Sequence, residues 1–353
     1  MTKEKLFGKL NKVKTTDRIL LITHTDLDGS GPAIILNKYF DNVTVRHCTN
    51  TAMSFMVRDA VIKDLESGEF DFVIACDISV NGEDAKEIEA SNHRNHFVLI
   101  DHHTTAEDLN KYDWAAVETW LLEDSFRAPL YAGMSDDKEK HSSGTSLLYD
   151  YLDYIGIIKD AEPEFKAFIH MIATYDTWDW KNTFTDAEIC DDLNKIFQVY
   201  GSEVFDEIYT KRFTTMNETE IKMFNEQNDL LLKAERIKLE TFLKYCWKGY
   251  QTGSIKIGEK YYSMCLFSGN SYMNEVFMNM KEHWPDRDLY IICYGTGIAL
   301  RKTDSNETIN VGEIAKEFGG GGHAGAAGFK IPLDLQIGYI QAAIAGSTVY
   351  IDH

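Results

Sequence analysis

Short apolar segments alternate with amphipathic or polar segments through the first third of the chain. RILLIT at 18–23, FDFVIACD at 70–77 and HFVLIDHH at 96–103 have the length and composition of buried strands. Between them, PAIILNKYF, with its proline in the first turn, and the polar NGEDAKEIEASN predict helices. This alternation predicts an α/β fold, in which crossover helices join the strands of a parallel sheet.

The pattern changes after residue 140. HSSGTSLLYDYLDYIG and FKAFIHMIATYDTWDW predict helices, and a long charged stretch at 203–247 predicts a connecting helix. From about residue 252, short strands such as KYYSMCLF and DLYIICYG precede a short helix, VGEIAKEF, and a glycine-rich segment. The expected parts are an N-terminal parallel-sheet domain at 1–190, a helical linker at 191–250 and a smaller α/β domain at 251–353.

Length and charge limit the class of protein. The 353 residues include 44% hydrophobic residues, which suits two domains with cores of their own. A formal net charge of −20 repels phosphate backbones, so duplex nucleic acid is a poor partner and a short anionic substrate is favoured.

Cysteine spacing and hydropathy bear on the compartment. The six cysteines form no CxxC pair, the N-terminus lacks an apolar signal region, and no apolar run reaches the roughly 18 residues of a membrane span. We therefore expect a soluble, cytoplasmic protein from a reducing compartment, with no membrane partner.

Acidic and histidine side chains follow three of the predicted strands. In an open parallel sheet the carboxyl ends of the strands form the edge where ligands bind, so these side chains are expected to converge. Carboxylate oxygens suit Mg²⁺ and Mn²⁺, and imidazole shifts the preference toward Mn²⁺. The residues are His24, Asp26 and Asp28 after the first strand, Asp77 after the second, and Asp101, His102 and His103 after the third.

Each motif alone also has a structural interpretation. HTDLDG is compatible with a polar turn that has an N-cap Asp, and Asp77 with a simple strand-end cap. Adjacent His102 and His103 would point to opposite sides of an extended backbone, and we expect them to have different roles. Asp176 in ATYDTWDW is a further candidate, with Asp179 as its competitor.

The glycine-rich segment GGGGHAGAAG at 319–328 is the last candidate site. Glycine permits positive φ angles and close backbone approach, so N–H groups here can bind an anion, and His323 adds a directed donor. A flexible linker has similar composition, but a predicted helix and the apolar FKI bracket this segment. The sequence contains neither a GxSxG elbow nor a P-loop lysine motif.

Taken in order, HTDLDG, VIACD, VLIDHH and GGGGHAGAAGF resemble the DHH phosphoesterase family with its DHH-associated C-terminal domain. The resemblance covers nearly the whole chain, and residues 190–250 are its least diagnostic part. It implies a catalytic N-terminal domain, a substrate-binding C-terminal domain, and hydrolysis supported by two divalent cations, Mn²⁺ ahead of Mg²⁺.

The resemblance also implies roles for individual residues. His24 and Asp26 would bind one cation, Asp28 the other, and Asp77 both. His102 and Asp176 would complete the second cation's shell, His103 would face the scissile phosphate, and Asp101 would orient the histidines. The substrate's other phosphate or its terminal nucleotide would contact Arg301, Gly320, Gly321, Gly322 and His323.

Several activities occur in this family. A phosphodiesterase that cleaves short single-stranded RNA or DNA, or linear dinucleotides, to nucleoside monophosphates fits the acidic two-domain chain best. A RecJ-like 5′→3′ exonuclease would need a basic track, and a cyclic-dinucleotide phosphodiesterase would share the same core. The GGGGHAGAAG ending disfavours a pyrophosphatase, and the complete ligand set disfavours an inactive binding module. A homodimer is left open.

Overall fold

The structure of the protein is a computed structural model with two compact units, Met1–Leu232 and Lys233–His353. It describes residues 8–49, 51–132, 140–179, 187–215, 222–303, 306 and 308–331.

The first unit contains a five-stranded sheet in the order β2-β1-β3-β4-β5, and every neighbouring pair is parallel. Its strands are β1 Arg18–His24, β2 Asn42–Cys48, β3 Phe72–Cys76, β4 Phe97–Asp101 and β5 Ala115–Val117. Its helices are α1 Leu27–Tyr39, α2 Met53–Asp59, α3 Leu65–Ser67, α4 Gly82–Ala90, α5 Gly144–Tyr154, α6 Pro163–Asp176, α7 Ala187–Tyr200 and α8 Ser202–Thr215. A π-helical turn at Ala60–Asp64 joins α2 to α3, and 3₁₀ turns occupy Arg94–His96, Thr104–Lys111 and Ala128–Tyr131.

The central strands of this sheet are buried on both faces. All five residues of β3 and all five of β4 are buried, as their unbroken apolar runs predict. Leu21 of β1 packs in a core that includes α1 and α5 through α8, whereas Leu20 packs in a second core with α2 and α4. The predicted α/β fold with a parallel sheet is therefore confirmed.

The first unit extends further along the chain than the boundary expected at 190/191. Phe197 of α7 and Phe205 and Tyr209 of α8 are buried in the same core as Leu21. These helices present apolar faces to α1 and α6, so they form part of this unit although their sequence suggests a linker. The structural division falls at 232/233, inside the helix α9 Glu226–Cys246.

The second unit contains a six-stranded sheet in the order β10-β11-β9-β8-β7-β6. Strands β7 and β8 are parallel, and the other neighbours are antiparallel. The strands are β6 Gln251–Ile257, β7 Lys260–Ser268, β8 Leu289–Tyr294, β9 Gly297–Lys302, β10 Gly321–Gly322 and β11 Ala326–Lys330. The helices α10 Met273–His283 and α11 Val311–Glu317 and a 3₁₀ turn at Trp247–Gly249 complete it. This is the smaller α/β domain that the sequence predicts.

Within the described part of the chain, no helix combines the length and the apolar composition needed to cross a bilayer.

Candidate metal centre

The turn from β1 into α1 carries the first group of candidate ligands. His24 ends β1, and Asp26 is the N-cap of α1, where its side chain accepts a hydrogen bond from the backbone N–H of Gly29 at 2.9 Å. His24 Nδ1 lies 2.6 Å from Asp26 Oδ2. A β-carbon on Gly29 would come within 2.2 Å of the His24 carbonyl oxygen, so this close turn requires glycine. Asp26 thus caps the helix, as one interpretation of the sequence expected, and also lies in the group of candidate ligands.

Asp28, in the first turn of α1, is 2% exposed and faces the N-terminus of α5. Its carboxylate accepts hydrogen bonds from the backbone N–H groups of Gly144 at 2.6 Å and Thr145 at 3.1 Å. The Thr145 hydroxyl donates to the Asp28 carbonyl at 2.7 Å. The free N–H groups at the N-terminus of α5 therefore hold the Asp28 side chain in place.

Asp77 follows β3 in the left-handed backbone region, with φ at 58°. Its side chain is buried, and its Oδ2 has no hydrogen-bond partner among the described residues. Burial, and then the charges of Asp26 and Asp28, raise the pKa of Asp77 well above the usual aspartate value. A β-carbon on Gly144 would lie 2.6 Å from the Asp77 β-carbon, so the helix packs directly against this ligand.

Asp101, at the end of β4, is fully buried and holds both histidines that follow it. Its Oδ1 accepts from the backbone N–H of His102 at 2.8 Å and lies 2.8 Å from His103 Nδ1. Burial alone would lower the pKa of His103, but the Asp101 carboxylate outweighs it and raises that pKa to about 9. The Asp101 carboxylate therefore favours the cationic form of His103.

His102 turns its Nε2 toward three carboxylates. The distances are 3.3 Å to Asp77 Oδ1, 3.5 Å to Asp176 Oδ2 and 3.8 Å to Asp28 Oδ2. Burial, and then the charge on His103, lower the pKa of His102, which favours a neutral imidazole able to bind a cation.

The expectation that the two histidines point to opposite sides is wrong. Their ring centroids lie 4.3 Å apart. β4 ends at Asp101, so the alternation of an extended strand does not reach His102 and His103. The rings nevertheless have different surroundings, because the His103 side chain is 43% exposed and that of His102 is 12% exposed.

Asp176 is the last residue of α6 and extends into the same cluster. A carboxylate at a helix C-terminus meets the negative end of the helix dipole, and the Oδ2 of Asp176 has no hydrogen-bond partner among the described residues. Burial, and then Asp28 and Asp26, raise the pKa of Asp176 well above its usual value. Asp179 lies outside the cluster, where it accepts from Thr177 Oγ1 at 2.8 Å and from Arg127.

These side chains form three overlapping groups, in each of which the candidate ligand atoms lie within 4.8 Å of one another. The groups are His24, Asp26 and Asp77; Asp28, His102 and Asp176; and Asp77, Asp101, His102 and His103. Several carboxylates with unpartnered buried oxygens are costly unless a cation neutralises them. Their oxygen and imidazole donors fit divalent cations.

Two features that position the residues of the metal centre were not predicted from the sequence. The first is the α5 N-terminus, whose signal is the capping box between Ser143 and Ser146 in HSSGTS. The second is Arg127, which is fully buried and donates to Tyr131 at 2.9 Å, Thr174 at 3.3 Å and Asp179 at 3.4 Å. No local pattern distinguishes Arg127 from a surface arginine.

The candidate residues of the second unit lie on β9 and the adjacent glycine hairpin. Arg301 pairs in the sheet with Ala326, and its guanidinium lies 4.8 Å from the centre of the Phe277 ring. It donates to the Leu300 carbonyl at 3.1 Å and to Asn274 Oδ1 at 3.4 Å. Burial lowers the pKa of Arg301.

The glycine-rich segment forms a hairpin between β10 and β11. The His323 N–H donates to the Ala326 carbonyl at 2.7 Å, and Gly322 has φ at 138°. β-carbons on Gly320 and Gly322 would come within 2.1 Å and 2.5 Å of the carbonyl oxygens of Gly328 and Ala326. Gly321, which pairs with Gly328, has open space where its β-carbon would be.

Both units match known family profiles. The profile of the DHH family N-terminal domain matches residues 18–175, and that of the DHHA1 domain matches residues 279–346. The chain belongs to the DHH family. The resemblance predicted from the four motifs is thereby confirmed, and the DHH match spans every candidate ligand except Asp176, one residue beyond its end.

Relatives of this DHH protein include oligoribonuclease NrnB of Bacillus subtilis (strain 168). The two are 29% identical over 316 residues, which cover 88% of this chain and 72% of the relative. A crystal structure of the exonuclease RecJ bound to manganese aligns with a TM-score of 0.56 at 14% identity, covering 99% of this chain and 95% of that one. RecJ from Thermus thermophilus in complex with Mn²⁺ gives the same score and identity over 99% of this chain and 55% of that one. At 14% identity, these alignments show that this chain and RecJ share a fold.

Proposed function

We propose that this DHH protein is a metal-dependent phosphodiesterase that hydrolyses short oligonucleotides or linear dinucleotides to nucleoside monophosphates. The observation that carries the proposal is the convergence of carboxylates and histidines at the carboxyl edge of the parallel sheet. Membership of the DHH family and similarity to an oligoribonuclease support it.

Two divalent cations fit the donor set. His24, Asp26 and Asp77 would hold one, and Asp28, His102 and Asp176 the other, with Asp77 contacting both. The unpartnered Oδ2 atoms of Asp77 and Asp176 support this assignment, because a cation satisfies them. Imidazole beside carboxylate favours Mn²⁺, with Mg²⁺ as the second choice. Cations bound there supply Lewis acidity toward a phosphoryl oxygen and toward water.

His103 is proposed to contact the scissile phosphate. Asp101 fixes the ring through Nδ1 and raises its pKa, which favours the cationic form. A cationic imidazole at 43% exposure can donate a hydrogen bond to a phosphoryl oxygen and a proton to the leaving oxygen. Asp101 acts through His103 and has no direct contact with the substrate in this proposal.

The second unit is proposed to hold the far end of the substrate. Arg301 provides a fixed cation, and the hairpin that contains Gly320, Gly321, Gly322 and His323 provides closely approachable backbone. The net charge of −20 disfavours long phosphate backbones, which supports a short single-stranded substrate over a long one. All six cysteines are free, which supports a reducing, cytoplasmic location.

A length series tests this proposal. The protein is incubated with Mn²⁺ and labelled RNA and DNA of two, three, five, ten and thirty nucleotides, together with a cyclic dinucleotide and pyrophosphate. We expect kcat/KM to be highest for the shortest linear substrates and to fall steeply with length. Processive digestion of the thirty-nucleotide DNA would identify a RecJ-like exonuclease, and preference for the cyclic compound a cyclic-dinucleotide phosphodiesterase. An Asp77→Asn preparation controls for contaminating nuclease.

A further inference from the structure

A tryptophan and a histidine outside the metal centre form an exposed aromatic stack. Trp120 is 55% exposed, and its ring lies 4.7 Å from that of His141 at an interplanar angle of 23°. Neither residue has a role in the proposed metal binding. Exposure of a large indole to water costs hydrophobic free energy. The position of Trp120 relative to the metal centre therefore indicates whether it could bind substrate.

The backbone beneath this stack is well ordered by hydrogen bonds. Trp120 and His141 face each other in an antiparallel bridge, flanked by bonds from Leu121 N–H to the Lys140 carbonyl at 2.8 Å and from Ser142 N–H to the Thr119 carbonyl at 3.0 Å. The Ser142 hydroxyl also donates to the Trp120 carbonyl at 2.9 Å. The backbone positions of Trp120 and His141 are therefore fixed by hydrogen bonds.

Two short backbone connections link the stack to the metal centre. Trp120 comes three residues after Val117, which pairs with Asp101 at the end of β4. His141 comes three residues before Gly144, whose N–H binds the Asp28 carboxylate. Three residues span at most about 10 Å, so Trp120 is within that reach of the strand partner of Asp101, and His141 is within that reach of a residue that binds Asp28.

Arg127 makes a third connection. Its Nη1 donates to the His141 carbonyl at 3.3 Å, and its Nη2 donates to Asp179 at 3.4 Å. Asp179 follows Asp176 by three residues. The same buried guanidinium thus ties the stack to the end of α6, where a candidate ligand lies.

We propose that the Trp120–His141 stack binds the nucleobase of the nucleotide whose phosphate occupies the metal centre. The inference rests on the proposed function, because it assigns a base-binding position to the same site. Aromatic faces stack on every base, which gives affinity without sequence preference. Stacking also needs no positive surface, which suits a chain of net charge −20.

Ligand binding tests the stack without requiring turnover. Adenosine monophosphate and ribose 5-phosphate are titrated into the protein in Mn²⁺ by calorimetry, and tryptophan fluorescence is recorded. We expect adenosine monophosphate to bind at least about 10-fold more tightly than ribose 5-phosphate, and Trp120→Ala to remove that advantage. Trp120→Phe should retain part of it. Equal affinities in the wild type, or an unchanged advantage in Trp120→Ala, would overturn the stacking proposal.

Kinetics then separate a base platform from a structural tryptophan. Trp120→Ala should raise the KM for a linear dinucleotide about 10-fold, with kcat nearly unchanged, and should leave the KM for its abasic analogue unaltered. A change of equal size for both substrates would contradict base stacking. Tyr154→Ala is the matched control, because Tyr154 is a 64% exposed aromatic residue at the opposite end of α5. A wild type that binds adenosine monophosphate as predicted but hydrolyses no dinucleotide would refute the proposed function alone.

Discussion

The metal centre of the first unit and the glycine hairpin of the second differ in how their polar groups are satisfied. In the metal centre, buried oxygens of Asp77 and Asp176 have no hydrogen-bond partner among the described residues. In the second unit, Arg301 already donates to Leu300 and Asn274. The first site has buried carboxylate oxygens that a cation would satisfy, whereas the guanidinium of the second already has two protein acceptors.

This difference indicates that the first site serves the chemical step and the second serves substrate binding. Groups held in an unfavourable electrostatic environment respond strongly to the charge of a cation and of a transition state. Groups that are already satisfied contribute mainly contacts that the substrate and the transition state share. Substitutions in the first site should therefore lower kcat, and substitutions in the second should raise KM.

The largest effect is expected for Asp77→Asn. The change preserves shape but removes the charge proposed to contact both cations, so kcat should fall by at least about 10²–10³-fold. Metal-free Asp77→Asn should be at least as stable to heat as the metal-free wild type, because the charges of Asp26 and Asp28 no longer act on a buried neighbour. Steady-state kinetics and calorimetry in chelator measure both quantities. The exposed Asp41→Asn is the control, and wild-type kcat in Asp77→Asn would refute the assignment.

Gly144→Ala should have the next largest effect. The new β-carbon would lie 2.6 Å from the Asp77 β-carbon and 3.1 Å from Asp28 Oδ2, which forces two candidate ligands to move. A displacement of about 1 Å at a catalytic group can cost about 10²-fold in rate.

Gly82→Ala provides a matched comparison for that variant. Gly82 is also the first residue of a helix behind a capping side chain, but its β-carbon position is open. The kcat of the Gly82→Ala variant should equal that of the wild type. Equal kinetics for Gly144→Ala and Gly82→Ala would show that α5 does not position the ligands.

Arg301→Ala should have a smaller effect, confined to substrate affinity. A hydrogen bond to a charged partner contributes about 1.5–3 kcal/mol, so KM for a dinucleotide should rise about 10–100-fold while kcat changes little. Lys302→Ala is the control, since its ammonium group binds the Asn306 carbonyl and neighbouring strand residues face opposite sides. A fall in kcat with unchanged KM would place Arg301 in the chemical step.

Removal of metal should change thermal stability by a small amount, and only in the first unit. At free Mn²⁺ about ten times its Kd, each bound ion stabilises by about 1.4 kcal/mol, so chelation should lower the unfolding temperature of that unit by about 3–6 °C for each ion lost. The transition of the second unit should not move. Scanning calorimetry with and without chelator measures the shift, and an equal shift of both transitions would remove the contrast between the two sites.

Local sequence was sufficient to predict the central strands and to select most of the candidate ligands. Apolar runs such as FVIAC and FVLID specify buried strands, and the parallel topology then brings Asp77 and Asp101 to one edge. Asp176 and Asp179 were both candidates in ATYDTWDW, and the resemblance gave a ligand role to Asp176. Its position at the end of a helix was not predictable because this segment has no clear end signal.

Long-range packing explains what the sequence did not predict. The bond from Gly144 to Asp28 joins residues 116 positions apart, and Arg127 reaches Asp179 across 52 positions. Neither contact has a local signature. The extent of the first unit was missed for the same reason, because Phe205 and Tyr209 lie in a charged helix whose packing partner is distant in sequence.

Anomalous diffraction from crystals soaked in Mn²⁺ would locate the cations of the metal centre. We predict two manganese peaks in the first unit, one bound by His24, Asp26 and Asp77 and the other by Asp28, His102 and Asp176. Asp77 should contact both ions. An absence of manganese from this cluster, at a concentration that supports dinucleotide hydrolysis, would contradict this prediction.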